Sequence, residues 1–402
     1  MIYLDHAAAT PVCEAALTAM KPYLREKFFN PSAAYLPAKE VSREYEEAKG
    51  VIAHAIGARA GDLVMTAGAT EANNLAFTVL GSNDKVLVLT TEHDSVRQLA
   101  LGGGSDGEFG DADRQNRTRF LHEFIEVDEM GRVRLDDLQA KMDDSVKLVS
   151  VALVNNELGT IQPLAEVAEI IRKVRYDRMR RGVKQPIYLH TDASQAINLM
   201  NVNVARLGVD LLTMNAAKVY GPKGVGALYA GHEVHLAPIS VGGGQERGLR
   251  AGTENVPGVI GFAAAMNEAK EHLNGNRKKY AKWKMILLNN LRDYELINKG
   301  KTLDNFLVVS FPGLDAERLI YLLEEREVYV ATGAACAASK GERSHVLTAI
   351  HLSAREIAGS LRITLGETNN ETQILAAAEI INEVVMAERQ RVKASYLEGK
   401  NG

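Results

Sequence analysis

Apolar and polar residues recur at helical spacing in two segments near the start of the chain, from Glu14 to about Lys27 and from Lys39 to Ile56. Pro31, Pro37 and Gly57 interrupt the pattern between and after these segments. Proline lacks a backbone N–H and glycine is conformationally free, so both residues tend to end or separate helices. The pattern therefore predicts two amphipathic helices.

Short apolar runs of strand length come next, and several are separated by helical patterns such as Leu164 to Arg175. Alternating strands and helices are typical of an α/β domain with a mostly parallel sheet. The Gly- and Asp-rich segment from Leu101 to Thr118 predicts a surface loop within this region. The predicted strands are Val86 to Leu89, Leu148 to Val154, Ile187 to His190, Leu211 to Met214 and Val225 to Tyr229.

Beyond Pro257 the pattern changes to long helical stretches with fewer strands, which indicates a second, α+β domain. We expect a large domain at residues 14–258 and a small domain formed by residues 1–13 together with 259–402. The elements predicted here are a helix from Val259 to Leu296, a strand from Phe306 to Phe311, a helix from Ala316 to Arg326 and a final helix from Glu371 to about Leu397.

The composition is that of an ordinary globular protein, with 402 residues of which 46% are hydrophobic. The 51 acidic and 47 basic residues leave a formal charge of -4, so the overall charge indicates neither a nucleic-acid nor a membrane partner. The two cysteines, Cys13 and Cys336, form no disulfide framework and favour a reducing compartment. Because a signal-peptide pattern and an 18-residue apolar run are both lacking, we expect a soluble, unprocessed cytoplasmic protein.

Lys218 follows one predicted strand and precedes a turn rich in glycine and proline, Tyr220 to Gly224. Ligands of open α/β sheets bind at the carboxyl ends of the strands. A lysine with a lowered pKa can form a Schiff base with an aldehyde cofactor. The alternative is a solvated lysine in a glycine-rich turn.

Asp192 ends another predicted strand, and Gln195 follows it closely. A carboxylate at this place can pair with a protonated pyridine nitrogen and so strengthen a cofactor as an electron sink. The Gln195 amide can bond to a ring hydroxyl. The alternative is an aspartate that only caps the following turn or helix.

The segment from Thr66 to Asn74 is a turn of small residues that opens a helix. The unpaired backbone amides of Ala69 and Thr70, together with the Thr70 hydroxyl, suit a phosphate. A capping box made by Thr70 is the alternative. His93 follows a strand and can stack on a pyridine ring, although a lone histidine is often an ordinary surface or core residue.

Cys336 lies among small residues between Ala331 and Gly341. Such a segment leaves the thiol uncrowded and the backbone free to move, which suits a nucleophile that travels to its substrate. The alternative is a buried structural cysteine. For Cys13, at a helix start, the structural interpretation stands alone.

Together these segments resemble the cysteine desulfurases, a group within class V of the fold-type I pyridoxal 5'-phosphate (PLP) enzymes. The resemblance covers nearly the whole chain. It implies a large α/β domain with a mostly parallel seven-stranded sheet and a smaller α+β domain that carries the Cys336 loop. The motifs that support it are IYLDHAAATP, NPS, TAGATEANN, TEH, VNNELGTIQP, HTDASQA, KVYGPKGVGALY, GGGQERGLRAGTENV, NFLVVSFPG, TGAAC and LRITLG.

The resemblance also implies a role for each matching residue at the cofactor. Ala69, Thr70 and Asn215 would contact the PLP phosphate, and Thr253 would reach the phosphate in the neighbouring subunit of a homodimer. Around the ring, Lys218 would form the Schiff base and Asp192 would pair with the pyridine nitrogen. Gln195 would bond to the ring hydroxyl, and His93 would stack on the ring and transfer protons.

At the substrate, the resemblance implies that Asn156 and Arg362 hold the carboxylate of L-cysteine. Cys336 would receive the sulfur as a persulfide, leaving L-alanine. The long interval between Cys336 and Arg362 resembles the long-loop group, which supplies sulfur for iron–sulfur cluster assembly and tRNA thiolation. We therefore expect a sulfur-acceptor protein as partner, with no metal site, no direct nucleic-acid contact and no membrane contact.

The chain departs from the family pattern beside Lys218. The family usually has serine and histidine where this chain has Asn215 and Ala217, and both of those side chains bind the phosphate. Alanine offers no donor, and a charge-assisted hydrogen bond contributes about 1.5–3 kcal/mol. We expect weakened phosphate binding. An aminotransferase, a selenocysteine lyase and a non-catalytic sulfur-transfer platform remain the alternatives.

Overall fold

The computed structural model describes residues 1–102, 120–332 and 343–398, with side chains up to residue 394. Most of the predicted loop from Leu101 to Thr118 lies outside these residues, and so does Cys336. The strands are β1 (Ile2–Tyr3), β2 (Leu63–Thr66), β3 (Lys85–Leu89), β4 (Leu121–Ile125), β5 (Val146–Ser150), β6 (Tyr188–Asp192), β7 (Leu211–Asn215), β8 (Gly226–Ala230), β9 (Glu295–Leu296), β10 (Phe306–Ser310), β11 (Val328–Tyr329), β12 (Ala331–Thr332) and β13 (Ser360–Thr364).

The described strands form three sheets, of seven, four and two strands, and the helices pack around them. The helices are α1 (Glu14–Met20), α2 (Leu36–Ala55), α3 (Ala69–Phe77), α4 (Asp94–Ala100), α5 (Leu135–Ala140), α6 (Leu164–Arg181), α7 (Val204–Leu207), α8 (Val256–Asn290), α9 (Ala316–Glu324), α10 (His345–Ala349), α11 (Ala354–Ala358) and α12 (Glu371–Glu398). Within the described part of the chain, no helix is long and apolar enough to cross a membrane.

A seven-stranded sheet of order β2-β8-β7-β6-β5-β3-β4 forms the centre of the larger part of the molecule. The neighbours from β4 to β7 are parallel, and β8 runs antiparallel to both β7 and β2. Both faces are buried: Leu87 and Leu89 of β3 belong to one hydrophobic cluster, whereas Val86 and Val88 belong to the other. The prediction of a mostly parallel, doubly covered sheet is thus confirmed.

A smaller antiparallel sheet of order β12-β13-β10-β9 receives the C-terminal part of the chain. Arg362 lies in the middle of β13, opposite Val308 of β10 and Ala331 of β12. The N-terminal segment lies along β13, because Thr364 N donates to Leu4 O at 2.7 Å, while β1 and β11 pair as a separate two-stranded sheet. The hydrophobic core continues from the large sheet into the small one. The division into residues 14–258 and the remainder stays a prediction.

Several predicted element boundaries are wrong. The first helix ends at Met20 and continues as a 3-10 turn, Lys21–Leu24, because Pro22 cannot donate a helical hydrogen bond. The long helix begins at Val256, where the Asn255 side chain caps the Gly258 amide at 3.1 Å. It ends at Asn290 instead of Leu296, because Leu291 is extended and the chain turns into β9.

Strands β2, β4 and β13 were not predicted from the hydrophobic pattern. β2 has four residues, all of them buried. β4 is an edge strand in which Leu121 and Glu123 are exposed and Ile125 is buried. Its sequence therefore shows no regular alternation of apolar and polar residues. β13 is buried throughout although it contains Arg362.

Candidate functional site

Parallel strands bring the ends of β3, β5, β6 and β7 to one edge of the large sheet. His93 follows β3, Asn156 follows β5, Asp192 ends β6 and Lys218 follows β7. The structure therefore places these predicted residues at a shared edge, as expected for ligand sites in open α/β sheets.

The Asp192 carboxylate is held by two donors. Its Oδ1 accepts from Ser194 N at 2.9 Å, and its Oδ2 accepts from Asn73 Nδ2 at 3.0 Å. Asp192 is 9% exposed and Asn73 is fully buried. The bond from Ser194 N is the turn cap that the sequence offered as the alternative to a cofactor role. Asp192 thus caps the turn, and the same bond fixes the orientation of its carboxylate.

Asn73 also connects Asp192 to His93, a link that sequence reasoning missed. Asn73 Nδ2 donates to Ser95 Oγ at 2.9 Å, and Ser95 Oγ lies 2.9 Å from His93 Nδ1. Ser95 N donates to the same Nδ1 at 3.1 Å, which makes His93 the N-cap of α4. Because Nδ1 accepts, the ring proton belongs on Nε2 of the neutral imidazole. His93 itself is exposed.

Lys218 lies at the end of the 3-10 turn after β7, below the N-terminal segment. Its Nζ donates to Ala7 O at 2.7 Å and to Ala8 O at 2.6 Å. Gln195 Nε2 donates to the same Ala7 O at 3.0 Å. Thr10 Oγ1 donates to Ala217 O at 3.0 Å, which holds the segment against the turn. Residues 7–10 therefore form one wall of the site.

A cavity of about 770 Å³ opens at the start of α3, where Gly68 to Glu71, Asn215 and Ala217 line it. The N-cap residue Gly68 has φ 153° and provides no side-chain cap. A Cβ on Gly226 would lie 2.7 Å from the Gly68 backbone, so glycine is required for this close approach. The first amides of the nine-residue helix α3 face the cavity without a capping side chain, an arrangement that suits an anion.

Two side chains beside Lys218 define the remaining chemistry of this cavity. Asn215 Oδ1 accepts from Ala217 N at 3.1 Å, which leaves its Nδ2 donor for a ligand. Ala217 lines the cavity without any polar side-chain atom. Glu71 brings a negative charge close by, but Arg250 Nε donates to its Oε1 at 3.0 Å and compensates that charge. The cavity thus retains backbone, Thr70 and Asn215 donors for a phosphate.

Thr253 is exposed and lines a smaller cavity of about 140 Å³, which shares Ala67 and Gly224 with the larger one. The preceding loop is fixed by Glu246, whose carboxylate accepts from Tyr45 Oη at 2.6 Å, from Lys49 Nζ at 3.1 Å and from Met65 N at 2.8 Å. Thr253 therefore lies beside the larger cavity, after a loop that Glu246 attaches to α2 and β2.

Arg362 is 5% exposed and already has two partners. Its NH1 donates to Asn156 O at 2.8 Å, and its NH2 donates to Asp5 Oδ1 at 2.6 Å. The buried Nε has no partner among the described residues. The structure thus brings together Arg362 and Asn156, as predicted, but through the Asn156 backbone carbonyl. Asp5 was missed, although it lies in the quoted motif IYLDHAAATP.

Two buried glutamates border the site. Glu92 Oε1 accepts from Ala152 N at 2.5 Å, and burial together with the charge of Asp192 raises the Glu92 pKa to about 8. Glu157 Oε2 accepts from Ser344 Oγ at 2.6 Å, and burial raises the Glu157 pKa to about 7. Neither glutamate was predicted as a site residue, because the sequence around an acid does not reveal that its side chain is buried.

Cys13 is half-buried at the start of α1. Burial and the neighbouring carboxylate of Glu268 raise the pKa of its thiol to about 11, so the thiol stays protonated and unreactive. This supports the structural role assigned to Cys13. The nucleophile predicted at Cys336 lies outside the described residues.

The family model described as aminotransferase class V matches residues 2–376. The chain belongs to the class V aminotransferase family. Its fold is accordingly that of fold-type I PLP enzymes, as the resemblance implied. A solved structure named NifS-like protein superimposes with a TM-score of 0.84 at 31% identity, covering 96% of this chain and 99% of the other.

Relatives of this class V protein include named cysteine desulfurases. The putative cysteine desulfurase IscS 1 of Bacillus subtilis strain 168 is 35% identical, covering 96% of this chain and 98% of the relative. Cysteine desulfurase IscS 1 of Archaeoglobus fulgidus is also 35% identical, covering 96% and 97%. A solved structure described as SspA in complex with cysteine has a TM-score of 0.76 at 29% identity, covering 91% and 99%. The resemblance to cysteine desulfurases is confirmed.

Proposed function

We propose that this protein is a PLP-dependent cysteine desulfurase, which converts L-cysteine to L-alanine and transfers the sulfur to Cys336. The observation that carries the proposal is that a carboxylate held by two donors, Asp192, and the amine of Lys218 lie at the same edge of the sheet. Relatives named cysteine desulfurase match this chain over 96% of its length.

The residues present fit PLP. The uncapped start of α3 with Thr70 and Asn215 would hold the phosphate, Asp192 the pyridine nitrogen, and Lys218 the aldehyde carbon. The half-buried Gln195 amide would meet the ring hydroxyl, and exposed His93 would lie over the ring. When bound, PLP supplies an electron sink for carbanion chemistry at the substrate α-carbon.

The protein's own groups bind the substrate and move its protons. Arg362, with its free Nε edge, would bind the carboxylate of cysteine beside Asn156, because a guanidinium fork matches a carboxylate. Lys218 Nζ, released from the cofactor, would take the α-proton. The Cys336 thiolate would then attack the substrate sulfur. Its carbon–sulfur bond breaks, the electron pair stays with the substrate carbon, and protonation of that carbon gives alanine.

We further propose a homodimer, which the exposed position of Thr253 and two exposed apolar residues support. Thr253 lines the smaller cavity, which shares Ala67 and Gly224 with the larger one, and Ile239 and Val241 are 37% and 87% exposed. Exposed apolar side chains that lie together are a common feature of interaction surfaces. We expect two chains to cover these residues, with Thr253 donating to the partner's phosphate. Sedimentation of the purified protein tests this.

The persulfide formed at Cys336 is a reversible sulfur carrier. A sulfur-acceptor protein would take it for iron–sulfur cluster assembly or tRNA thiolation. With two cysteines and no disulfide framework, the chain suits the reducing cytoplasm.

The test is an assay of L-cysteine with added PLP and a thiol reductant, measuring sulfide and alanine together. We expect equal amounts of both products from the wild type and neither from Lys218→Ala. Cys336→Ala should release no sulfide, while Cys13→Ala should be as active as the wild type. Full sulfide release by Cys336→Ala would overturn the proposal. Transfer of the amino group to an added keto acid would instead indicate an aminotransferase. A purified protein that binds no PLP would indicate a non-catalytic sulfur-transfer platform.

A further inference from the structure

Glu92 is a fully buried acid behind the carboxylate that faces the cofactor site. It is 0% exposed and lies between β3 and α4. Oε1 accepts from Ala152 N at 2.5 Å, whereas Oε2 is buried without a hydrogen-bond partner among the described residues. An ionised carboxylate with an unpaired buried oxygen is strongly disfavoured, because its charge has lost water and gained no donor.

Asp192 is the acid that acts electrostatically on Glu92. A second carboxylate that acts on a buried acid disfavours the charged form of that acid. Asp192 accepts from Asn73 Nδ2 and from Ser194 N, one donor to each oxygen, whereas within the described part of the chain Glu92 accepts from Ala152 N alone. Donors stabilise the charged form of a carboxyl group, so the single donor at Glu92 favours its protonated form.

We propose that Glu92 is a protonated, neutral carboxylic acid, which therefore adds no second negative charge behind Asp192. Glu92 is thus a positioning residue: it acts on the cofactor through Asp192 and touches neither cofactor nor substrate. The expected effect on PLP binding rests on the proposed function, whereas the protonation of Glu92 is independent of that function.

Within residues 1–102, 120–332 and 343–398, the other titratable groups around Glu92 do not supply a compensating charge. His345 of α10 places its Nε2 2.9 Å from the Glu92 backbone oxygen, and burial lowers the His345 pKa, which keeps that imidazole neutral. His93 adjoins Glu92 in sequence and accepts at Nδ1 from Ser95. The acid is therefore expected to lose its proton only as the pH rises through about 8, where burial and Asp192 place the Glu92 pKa.

Difference infrared spectroscopy of the PLP-free protein tests the proton directly. The spectrum of the wild type minus that of Glu92→Gln should contain the carbonyl stretch of a protonated carboxylic acid at pH 7, replaced by carboxylate bands at pH 9. Glu123→Gln is the matched control, because Glu123 is exposed and pairs with Lys85, so its difference should show carboxylate at both values. Carboxylate bands for Glu92 at pH 7 would overturn the proposal.

The consequence for Asp192 is tested on the PLP-bound protein. Glu92→Gln keeps an uncharged side chain of the same shape, so at pH 7 its PLP affinity should stay within about threefold of the wild type. The absorbance of bound PLP should show a transition near pH 8 in the wild type that Glu92→Gln lacks. A tenfold or greater loss of affinity at pH 7 in a folded variant would contradict the role of Glu92. Absence of desulfurase activity would count against the proposed function and leave the infrared result intact.

Discussion

Arg362 donates its NH2 to the Asp5 carboxylate at 2.6 Å, across 357 positions of sequence. The Arg362 side chain is 5% exposed and that of Asp5 is 18% exposed. The guanidinium proposed to bind the substrate carboxylate thus already has a carboxylate partner within the chain. A carboxylate ligand must approach a neutralised arginine.

Replacing Asp5 by asparagine tests this pairing. Removal of one partner leaves a nearly buried guanidinium uncompensated, so the free energy of unfolding should fall by about 2–4 kcal/mol in urea titrations. L-alanine, which carries the same carboxylate as the substrate, should stabilise Asp5→Asn more than the wild type. The exposed pair Arg134 and Asp136 offers a control, since Asp136→Asn should leave the free energy of unfolding essentially unchanged. Equal stability of Asp5→Asn and wild type would show that the pair contributes nothing.

Asn73→Ala should weaken PLP binding by roughly tenfold, because Asp192 Oδ2 loses its donor and the link to Ser95 is broken. PLP titration followed by absorbance measures the change. Asn290→Ala is the control, since its side chain is exposed and bonds only to its own helix at Ile286 O. Unchanged PLP affinity in Asn73→Ala would mean that Ser194 N alone holds the carboxylate.

Ala217→His should raise PLP affinity by about one to two orders of magnitude, because it returns a donor to the phosphate cavity that Ala217 lines. Ala217→Leu adds bulk without a donor and separates the two effects. Equal affinity in Ala217→His and wild type would show that the α3 amides with Asn215 already satisfy the phosphate.

Glu157 makes stability depend on pH. Burial raises its pKa in the folded protein to about 7, above the ordinary value of 4.5. A raised pKa stabilises the fold fully below the unfolded value, and this contribution is lost as the pH rises toward 7. Replacement by glutamine should therefore flatten the decline of unfolding free energy between pH 5 and 7, by about 2–4 kcal/mol in all. Glu169→Gln, at an exposed position, should keep the wild-type slope; so would Glu157→Gln if its carboxyl were ionised throughout.

The sequence predicted what is local in the chain. Lys218 and Asp192 were found because each ends an apolar run of strand length, and the parallel sheet then brings such ends together. The partners of these residues were not found. Asn73 and Asp192 are 119 positions apart and Asp5 and Arg362 are 357 apart, so no spacing rule connects them.

Burial of charged residues was equally invisible to the pattern. Glu92 lies between a buried strand and the start of a helix. An acid at such a position is ordinarily expected to be exposed and to interact with the N-terminal end of the helix. All five residues of the strand that contains Arg362 are buried. The strand was not predicted, because the charged residue interrupts its apolar run. Such residues become recognisable only when the opposite charge or the missing donor is located in space.

The N-terminal wall of the site has a consequence for biosynthesis. Residues 4–6 pair with Thr364 and Arg362, while Ala7 and Ala8 accept from Lys218. A ribosome must therefore produce about nine-tenths of the polypeptide before the first residues find their partners in β13. The seven strands of the large sheet are all translated earlier. The wall formed by residues 7–10 is thus completed late, and a nascent chain stalled before β13 would lack the partners that hold its N-terminal segment in place.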